Sequence, residues 1–231
     1  MSHWESHRRV QSVAKSVLDS LGSSITATDC EASIAERAAR LLADLGATET
    51  WYYDCPAFVL LGSRSCDSIS GRKYKPSAEL VGSENLITVD LSPSIDGAWG
   101  DCARSFFIES GHHVSEPVTP EFRRGLELEL MLHASMQEFV SVETTFEELH
   151  QFSNSQIRSG GFENLDFLGN LGHSIETRLE DRVYIEAGNP ARLSDAGLFT
   201  FEPHIRELGG KWGFKRENIY YLNENGRAVE L

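Results

Sequence analysis

Residues 85–109 read NLITVDLSPSIDGAWGDCARSFFIE, two apolar stretches on either side of a polar turn. Ser94, Ile95, Asp96 and Gly97 supply the loop, and Asp-Gly is its strongest local signal. Closing that four-residue loop between Pro93 and Ala98 sets Asp90 opposite Asp101 on adjacent strands, with Asp96 serving only the turn. Facing carboxylates on apolar strands repel one another and are costly to bury. Something must neutralise them: a shared proton, a basic partner or a metal ion.

The device recurs near the C-terminal end, where LFTFEPHI (198–205) and FKRENIYYL (214–222) flank Gly209-Gly210. Pairing about that turn sets Glu202 opposite Glu217. Between the two hairpins lies GNLGHSIE (169–176), in which His173 sits among Gly169, Gly172 and Ser174, so the backbone is free to approach a ligand closely. Four carboxylates and one imidazole suit a pair of divalent cations.

These segments carry a family resemblance. VDLSPSIDGAWGDCARSF, GNLGHSIE, FTFEPHI and KRENIYYLNENG resemble, in order, the ligand-bearing segments of the pita-bread metallohydrolases, the superfamily of methionine aminopeptidase, Xaa-Pro aminopeptidase, prolidase and creatinase. The resemblance covers nearly the whole chain. It implies an α+β fold with two pseudo-two-fold related halves around a curved, mainly antiparallel sheet. It also implies five metal ligands: Asp90 on one ion, Asp101 and Glu217 bridging both, His173 and Glu202 completing the other. The cofactor implied is two ions of Mn²⁺, Fe²⁺, Co²⁺ or Zn²⁺, a choice that carboxylate-rich ligation with one His favours over Ca²⁺. The reaction implied is hydrolysis of a C–N bond, most often an N-terminal peptide bond, by a hydroxide shared between the metals, with Glu202 or a neighbour moving the proton to the departing nitrogen.

Two departures bear on catalysis. Peptidases of this superfamily carry His in an H-Y-x-P segment, where this chain has K-Y-K-P and hence Lys73; they carry a second His seven residues after the ligand His, where this chain has Glu180. Those histidines contact the scissile amide and its oxyanion. Lys73 can still donate to an oxyanion, whereas an ionised Glu180 suits a cationic group of the substrate. His204 lies two residues after Glu202 on the same strand face, where relatives often have Gly, and is expected either to act on the substrate or to orient a ligand. Trp99, Tyr74, Trp212 and Phe214 are candidates for lining a pocket.

The chain has 231 residues, 40% hydrophobic and 24% charged, enough for a substantial core, and a single domain over 1–231 is the simplest reading. It is too short for the extra N-terminal domain of prolidase- and creatinase-like relatives. A net charge of −14 argues against a general nucleic-acid surface or an anionic membrane as partner. The N-terminal MSHWESHRRVQSVAKSVLDSL has no apolar stretch of signal-peptide length, so a cytoplasmic location is expected. Cys30, Cys55, Cys66 and Cys102 form no C-x-x-C pair and are expected as reduced, structural thiols, with Cys102 pointing away from the metal side.

Helical periodicity spans Trp4 to Leu21, and a second helix is expected after a Thr28/Glu31 capping box, stopping at Gly46. ETWYYDCPAFVLLG reads as strand. Thr119-Pro120 opens a helix to about Val140; Thr144 or Thr145 with Glu147 or Glu148 opens another that ends at Gly160-Gly161. The order helix, helix, strands, hairpin thus occurs twice, in halves of about 1–115 and 116–231, and places the site at their junction. His3, His7, His112, His113, His133 and His150 are expected to be structural.

The leading expectation is therefore an aminopeptidase or Xaa-Pro peptidase acting on a small peptide. The alternatives are a specialised enzyme of the same fold acting on a small amide, guanidino or amino-acid derivative, and a non-catalytic peptide- or protein-binding module. A homodimer is compatible with any of them.

Overall fold

The computed structural model describes residues 3–231. The first half contains helices α1 (His3–Gly22) and α2 (Glu31–Asp44), then strands β1 (Glu49–Thr50), β2 (Ala57–Leu61), β3 (Asn85–Leu91), β4 (Pro93–Ile95), β5 (Ala98–Trp99), β6 (Cys102–Glu109) and β7 (His112–Val114). The second contains α3 (Pro120–Phe139), α4 (Phe146–Ser159) and strands β8 (Phe162–Asn164), β9 (Leu198–Phe201), β10 (His204–Glu207), β11 (Gly213–Lys215), β12 (Asn218–Leu222) and β13 (Ala228–Glu230). Each half opens on a helix pair and closes on antiparallel strands. Among the described residues no helix is long and apolar enough to cross a membrane.

Local chemistry explains the helix ends in most cases. Pro120 opens α3, and Thr145 caps α4 in a reciprocal capping box with Glu148. For α2 the expected Thr28/Glu31 box does not form. Cys30 is the cap residue, its backbone N–H bonded by Ser33, because the Glu31 carboxylate is turned inward to accept from the Leu61 and Ser77 amides and from Arg64. The segment expected as one strand before Gly62 is broken: β1 and β2 are separated by a turn in which Tyr53 and Asp54 take positive φ of 47° and 56°.

The first hairpin differs from expectation in loop length. Asp96 and Gly97 adopt φ of 53° and 78°, the left-handed pair that a two-residue turn requires, so Ile95 faces Ala98 and Ser94 faces Trp99. Asp90 consequently faces Ala103, with Asp101 two residues away. A two-residue slip keeps both carboxylates on one face. In the second hairpin the expected register holds: His204 faces Lys215 and Phe201 faces Asn218. Glu202 and Glu217 fall between these two ladder segments, where Pro203 has no N–H to donate.

Two large cores flank the sheets. One packs α1 and α2 on β2, β3 and β6, with Leu18, Ile34, Val59 and Val89 buried. The other packs α3 and α4 on the second-half strands, with Phe122, Phe146, Phe199 and Phe214 buried. The halves are stitched by a bridge in which Ala103 and Glu217 exchange backbone hydrogen bonds of 3.3 and 3.0 Å. Arg104 reinforces it with a bond to the Glu217 carbonyl at 2.8 Å. That stitch brings the second hairpin's acid beside the first's.

Candidate metal centre

A cavity of about 310 Å³ opens at this junction and is lined by Asp90, Asp101, His173, Glu202 and Glu217. Each reaches it by a different device. The backbone of Asp101 is clamped by Gln11 of α1, which donates to its carbonyl and accepts from its amide, both at 2.8 Å. His173 follows Gly172, whose φ of 142° and whose approach to Thr200 leave no room for a side chain: a Cβ there would lie 2.2 Å from the Thr200 carbonyl oxygen. That contact lets the 169–176 segment hydrogen-bond along β9, through His173 N–H to the Thr200 hydroxyl and Thr200 N–H to the His173 carbonyl. Glu202 N–H donates to the Leu171 carbonyl at 2.9 Å.

Asp101, His173 and Glu217 each offer one ligand atom, all within 4.8 Å of one another, and all three are buried. His173 Nδ1 lies 2.8 Å from the Ser174 carbonyl, so the proton sits on Nδ1. The Nε2 lone pair then faces the Asp101 and Glu202 carboxylates at 3.4 and 3.9 Å. A lone pair directed at two carboxylates calls for a cation between them. Glu217 Oε2 is buried without a hydrogen-bond partner. Burial, then the charges of Asp101 and Glu202, lifts the Glu217 carboxyl well above its usual range, and burial lifts Asp101 to about 6. A buried carboxylate oxygen without a hydrogen bond, an imidazole with its proton on the far nitrogen and acids that outnumber the nearby cations fit a divalent ion.

Lys215, unremarked in the sequence, stands inside this cluster. Its Nζ lies 2.6 Å from Asp90, 3.0 Å from Glu202 and 3.6 Å from Glu217. Burial opposes its charge, but those three carboxylates outweigh burial and hold its proton well above the usual ammonium range. Lys215 likewise outweighs burial at Glu202 and holds it below the usual carboxylate value. For Asp90 burial wins over Lys215, and its carboxyl is raised. The signal for Lys215 was present in the K-x-E spacing, which sets alternate residues on one strand face.

His204 lines the same cavity. Its Nε2 lies 2.7 Å from the Ser65 carbonyl, which can only accept, so Nε2 carries the proton and Nδ1 is an acceptor. Burial holds the ring's pKa down at about 4, so it is neutral near pH 7. The other two expected catalytic positions are not brought to the cavity. Lys73 is exposed at the end of a turn closed by its own amide on the Ser70 carbonyl, while its neighbour Tyr74 turns inward to the Val59 backbone. Glu180 is exposed in a short 3₁₀ turn and pairs with Arg178.

Trp99, Tyr74, Trp212 and Phe214 do not line the cavity either. Trp99 stacks on Trp51 at 4.5 Å, Trp212 packs on Phe122, and Phe214 fills the core beside Gly125. The aromatic lining instead includes Trp51, Tyr52, Tyr184 and Phe167, with Arg182 among them. These lie on loops that meet only in the folded chain. His133 is structural, bonded to the Tyr220 hydroxyl and the Arg216 carbonyl, as is His150 on the Gly169 carbonyl; the side chain of His3 lies outside the described residues. Cys102 is buried with its thiol toward Asn218, and all four cysteines are free.

Two helix-pair-and-hairpin halves that bring carboxylates and an imidazole together between them define the pita-bread class of metallohydrolase folds. The chain belongs to metallopeptidase family M24, whose model matches residues 3–224. Methionine aminopeptidase A of Synechocystis sp. is 28% identical over 149 residues, which are 64% of this chain and 53% of that protein. The X-Pro aminopeptidase structure from Thermotoga maritima superposes with a TM-score of 0.80 at 21% identity, covering 99% of this chain and 60% of that one. The prolidase of Pyrococcus furiosus gives 0.78 at 20% identity, with 99% and 63% covered. The chain thus spans about half to three fifths of the length of these relatives.

Proposed function

We propose that this chain is a metal-dependent hydrolase of peptide C–N bonds, of the aminopeptidase or Xaa-Pro peptidase kind. The observation that carries the reading is the buried Glu217 Oε2, which accepts no hydrogen bond, gathered with Asp101 and the Nε2 of His173. These three residues would hold one divalent cation. Asp90 and Glu202 complete a second position, where an ion competes with the Lys215 ammonium. Such ions, when bound, would supply a Lewis acid for the scissile carbonyl and would bring the pKa of water toward neutrality.

The chain's own groups do the rest. Glu202, held ionised by Lys215, is the carboxylate placed to accept a proton from water and return it to the leaving nitrogen. His204 Nδ1, an acceptor locked by the Ser65 carbonyl, takes an N–H of the substrate. Trp51 and Tyr184 wall the cavity around His173 and limit water. With Lys73 and Glu180 turned to solvent, the oxyanion receives no donor from either position, which favours a second reading: a narrow hydrolase of one small amide, guanidino or amino-acid derivative.

The test is metal content by elemental analysis after dialysis against Mn²⁺, Fe²⁺, Co²⁺ or Zn²⁺, for wild type and Asp101→Ala, followed by a peptide panel that includes Xaa-Pro substrates. Bound metal that is lost in the variant, together with release of N-terminal residues, supports the peptidase. Metal without cleavage of any peptide moves the assignment to the narrow hydrolase. No metal under any loading condition removes both.

A further inference from the structure

Trp99, Gly100 and Asp101 lie against one face of α1, and each is met by a different residue of that helix. His7 donates its Nδ1–H to the Trp99 carbonyl at 2.9 Å. Gly100 presses on the helix backbone, where a Cβ would lie 3.0 Å from the Val10 carbonyl oxygen. Gln11 closes on Asp101 from both sides: its amide nitrogen donates to the Asp101 carbonyl and its oxygen accepts from the Asp101 N–H, each at 2.8 Å. Positions 7, 10 and 11 share a helical face. One turn further, Lys15 pairs with Glu230 of β13 at 2.7 Å, and β13 pairs with β12, which opens directly after Glu217. The helix therefore bears on the backbone beside acids of both hairpins.

Asp101 needs such a hold because it stands between β5 and β6, outside the paired registers of both. A buried N–H and C=O left unpaired there would each be costly, and a carboxamide is the neutral side chain that donates and accepts at once. Gln11 is fully buried and spends both ends of its carboxamide on this one residue. Pinning the main chain in this way fixes the point from which the Asp101 carboxylate departs, and the carboxylate then stands 3.4 Å from His173 Nε2 and in one group with Glu217. A ligand left loose by about half an ångström binds poorly. The apolar stripe of Val10, Ala14, Val17 and Leu21 is enough to dock α1 on the core; Gln11 lies beside that stripe and serves the cavity.

We propose that Gln11 is a positioning residue of the metal centre, setting cation affinity through the backbone of Asp101 from a helix that contributes no ligand. The proposal rests on the metal centre of the hydrolase reading above and deepens it. The rival view makes Gln11 a packing residue whose loss weakens the fold and nothing else. Leu18, buried in the core on the same helix, supplies the comparison.

The experiment titrates metal-free wild type, Gln11→Met and Leu18→Ala with Mn²⁺ by calorimetry, records the visible spectrum of each with Co²⁺, follows thermal unfolding in EDTA, and assays the Mn²⁺-loaded proteins on a peptide panel. Both variants are expected to melt below wild type. Gln11→Met alone should bind Mn²⁺ about ten- to hundredfold more weakly, the usual effect of removing a group that orients a ligand, and alone should shift the Co²⁺ bands, which report ligand geometry. Should Gln11→Met not fold, Gln11→Ala, which admits water to the same two backbone groups, is read by the same criteria. Wild-type affinity and spectrum in the Gln11 variant overturn the proposal, as does an equal loss of affinity in Leu18→Ala. Metal binding that depends on Gln11, without cleavage of any peptide, upholds Gln11 and sinks the peptidase reading. Peptide turnover with metal affinity indifferent to Gln11 does the reverse, and wild type that binds neither ion sinks both.

Discussion

Replacing Asp101 with Asn separates the requirements of metal binding from those of folding. Burial raises this carboxyl from 3.8 to about 6, so the folded metal-free chain holds its proton more tightly than the unfolded chain does. The associated stability is fully present below pH 3.8 and is lost as pH rises through 6; at about 1.4 kcal/mol per pH unit the loss reaches about 3 kcal/mol. Asn has the same shape and cannot ionise, and the backbone clamp from Gln11 does not depend on the side chain. Metal-free Asp101→Asn should therefore be more stable than wild type at pH 7.5 by about 1–3 kcal/mol, since neighbouring acids relax when one charge leaves, with the gap closing toward pH 4. For a chain of this length that is roughly 2–12 °C in melting temperature. Mn²⁺ at a hundred times its dissociation constant should stabilise wild type by about 2.7 kcal/mol and the variant by much less. The assay is thermal unfolding at pH 4.5, 6 and 7.5 with EDTA and with Mn²⁺. A metal-free variant less stable than wild type at pH 7.5, or one keeping the full Mn²⁺ response, would refute the assignment of Asp101 as a buried acid awaiting a cation.

Three further outcomes follow from positions already described. His204→Ala should lower turnover about ten- to hundredfold while elemental analysis finds unchanged metal content, because its acceptor nitrogen meets substrate; lost metal with unchanged turnover per bound ion would make it a positioning residue. Gly172→Ala should cost 3 kcal/mol or more, on the order of the largest single-residue effects, and lower metal affinity, since its Cβ meets the Thr200 carbonyl oxygen at 2.2 Å; calorimetric metal titration and chemical denaturation check this. Thr145→Ala should remove about 1 kcal/mol from the α4 cap without altering metal binding, read by the same two measurements.

Sequence was most informative where structure depends on near neighbours. Thr145 with Glu148, Pro120, and the Gly209-Gly210 centre of the second hairpin are local signals, and each is realised. The first hairpin shows the limit of that logic: Asp96-Gly97 marks the turn, but four-residue and two-residue loops share the same letters, and only the left-handed backbone at both positions selects the shorter. The α2 cap departs from the local pattern because Glu31 satisfies amides 30 and 46 residues away. Arg182, Trp51 and Tyr184 carry no pattern at all, since their proximity arises from the docking of separate loops around His173. Lys73 and Glu180 occupy the expected slots in the sequence, yet turn geometry directs both to solvent.

The Lys215 ammonium among Asp90, Glu202 and Glu217 also sets an order of events. It serves as an internal counter-ion, so part of the acidic cluster's charge is met by the polypeptide itself once the second hairpin lies against the first. Under the proposed reading the fold would not wait for a metal to form. Under that reading, loading would exchange the ammonium for a metal cation, and a chelator would reverse it without unfolding the chain.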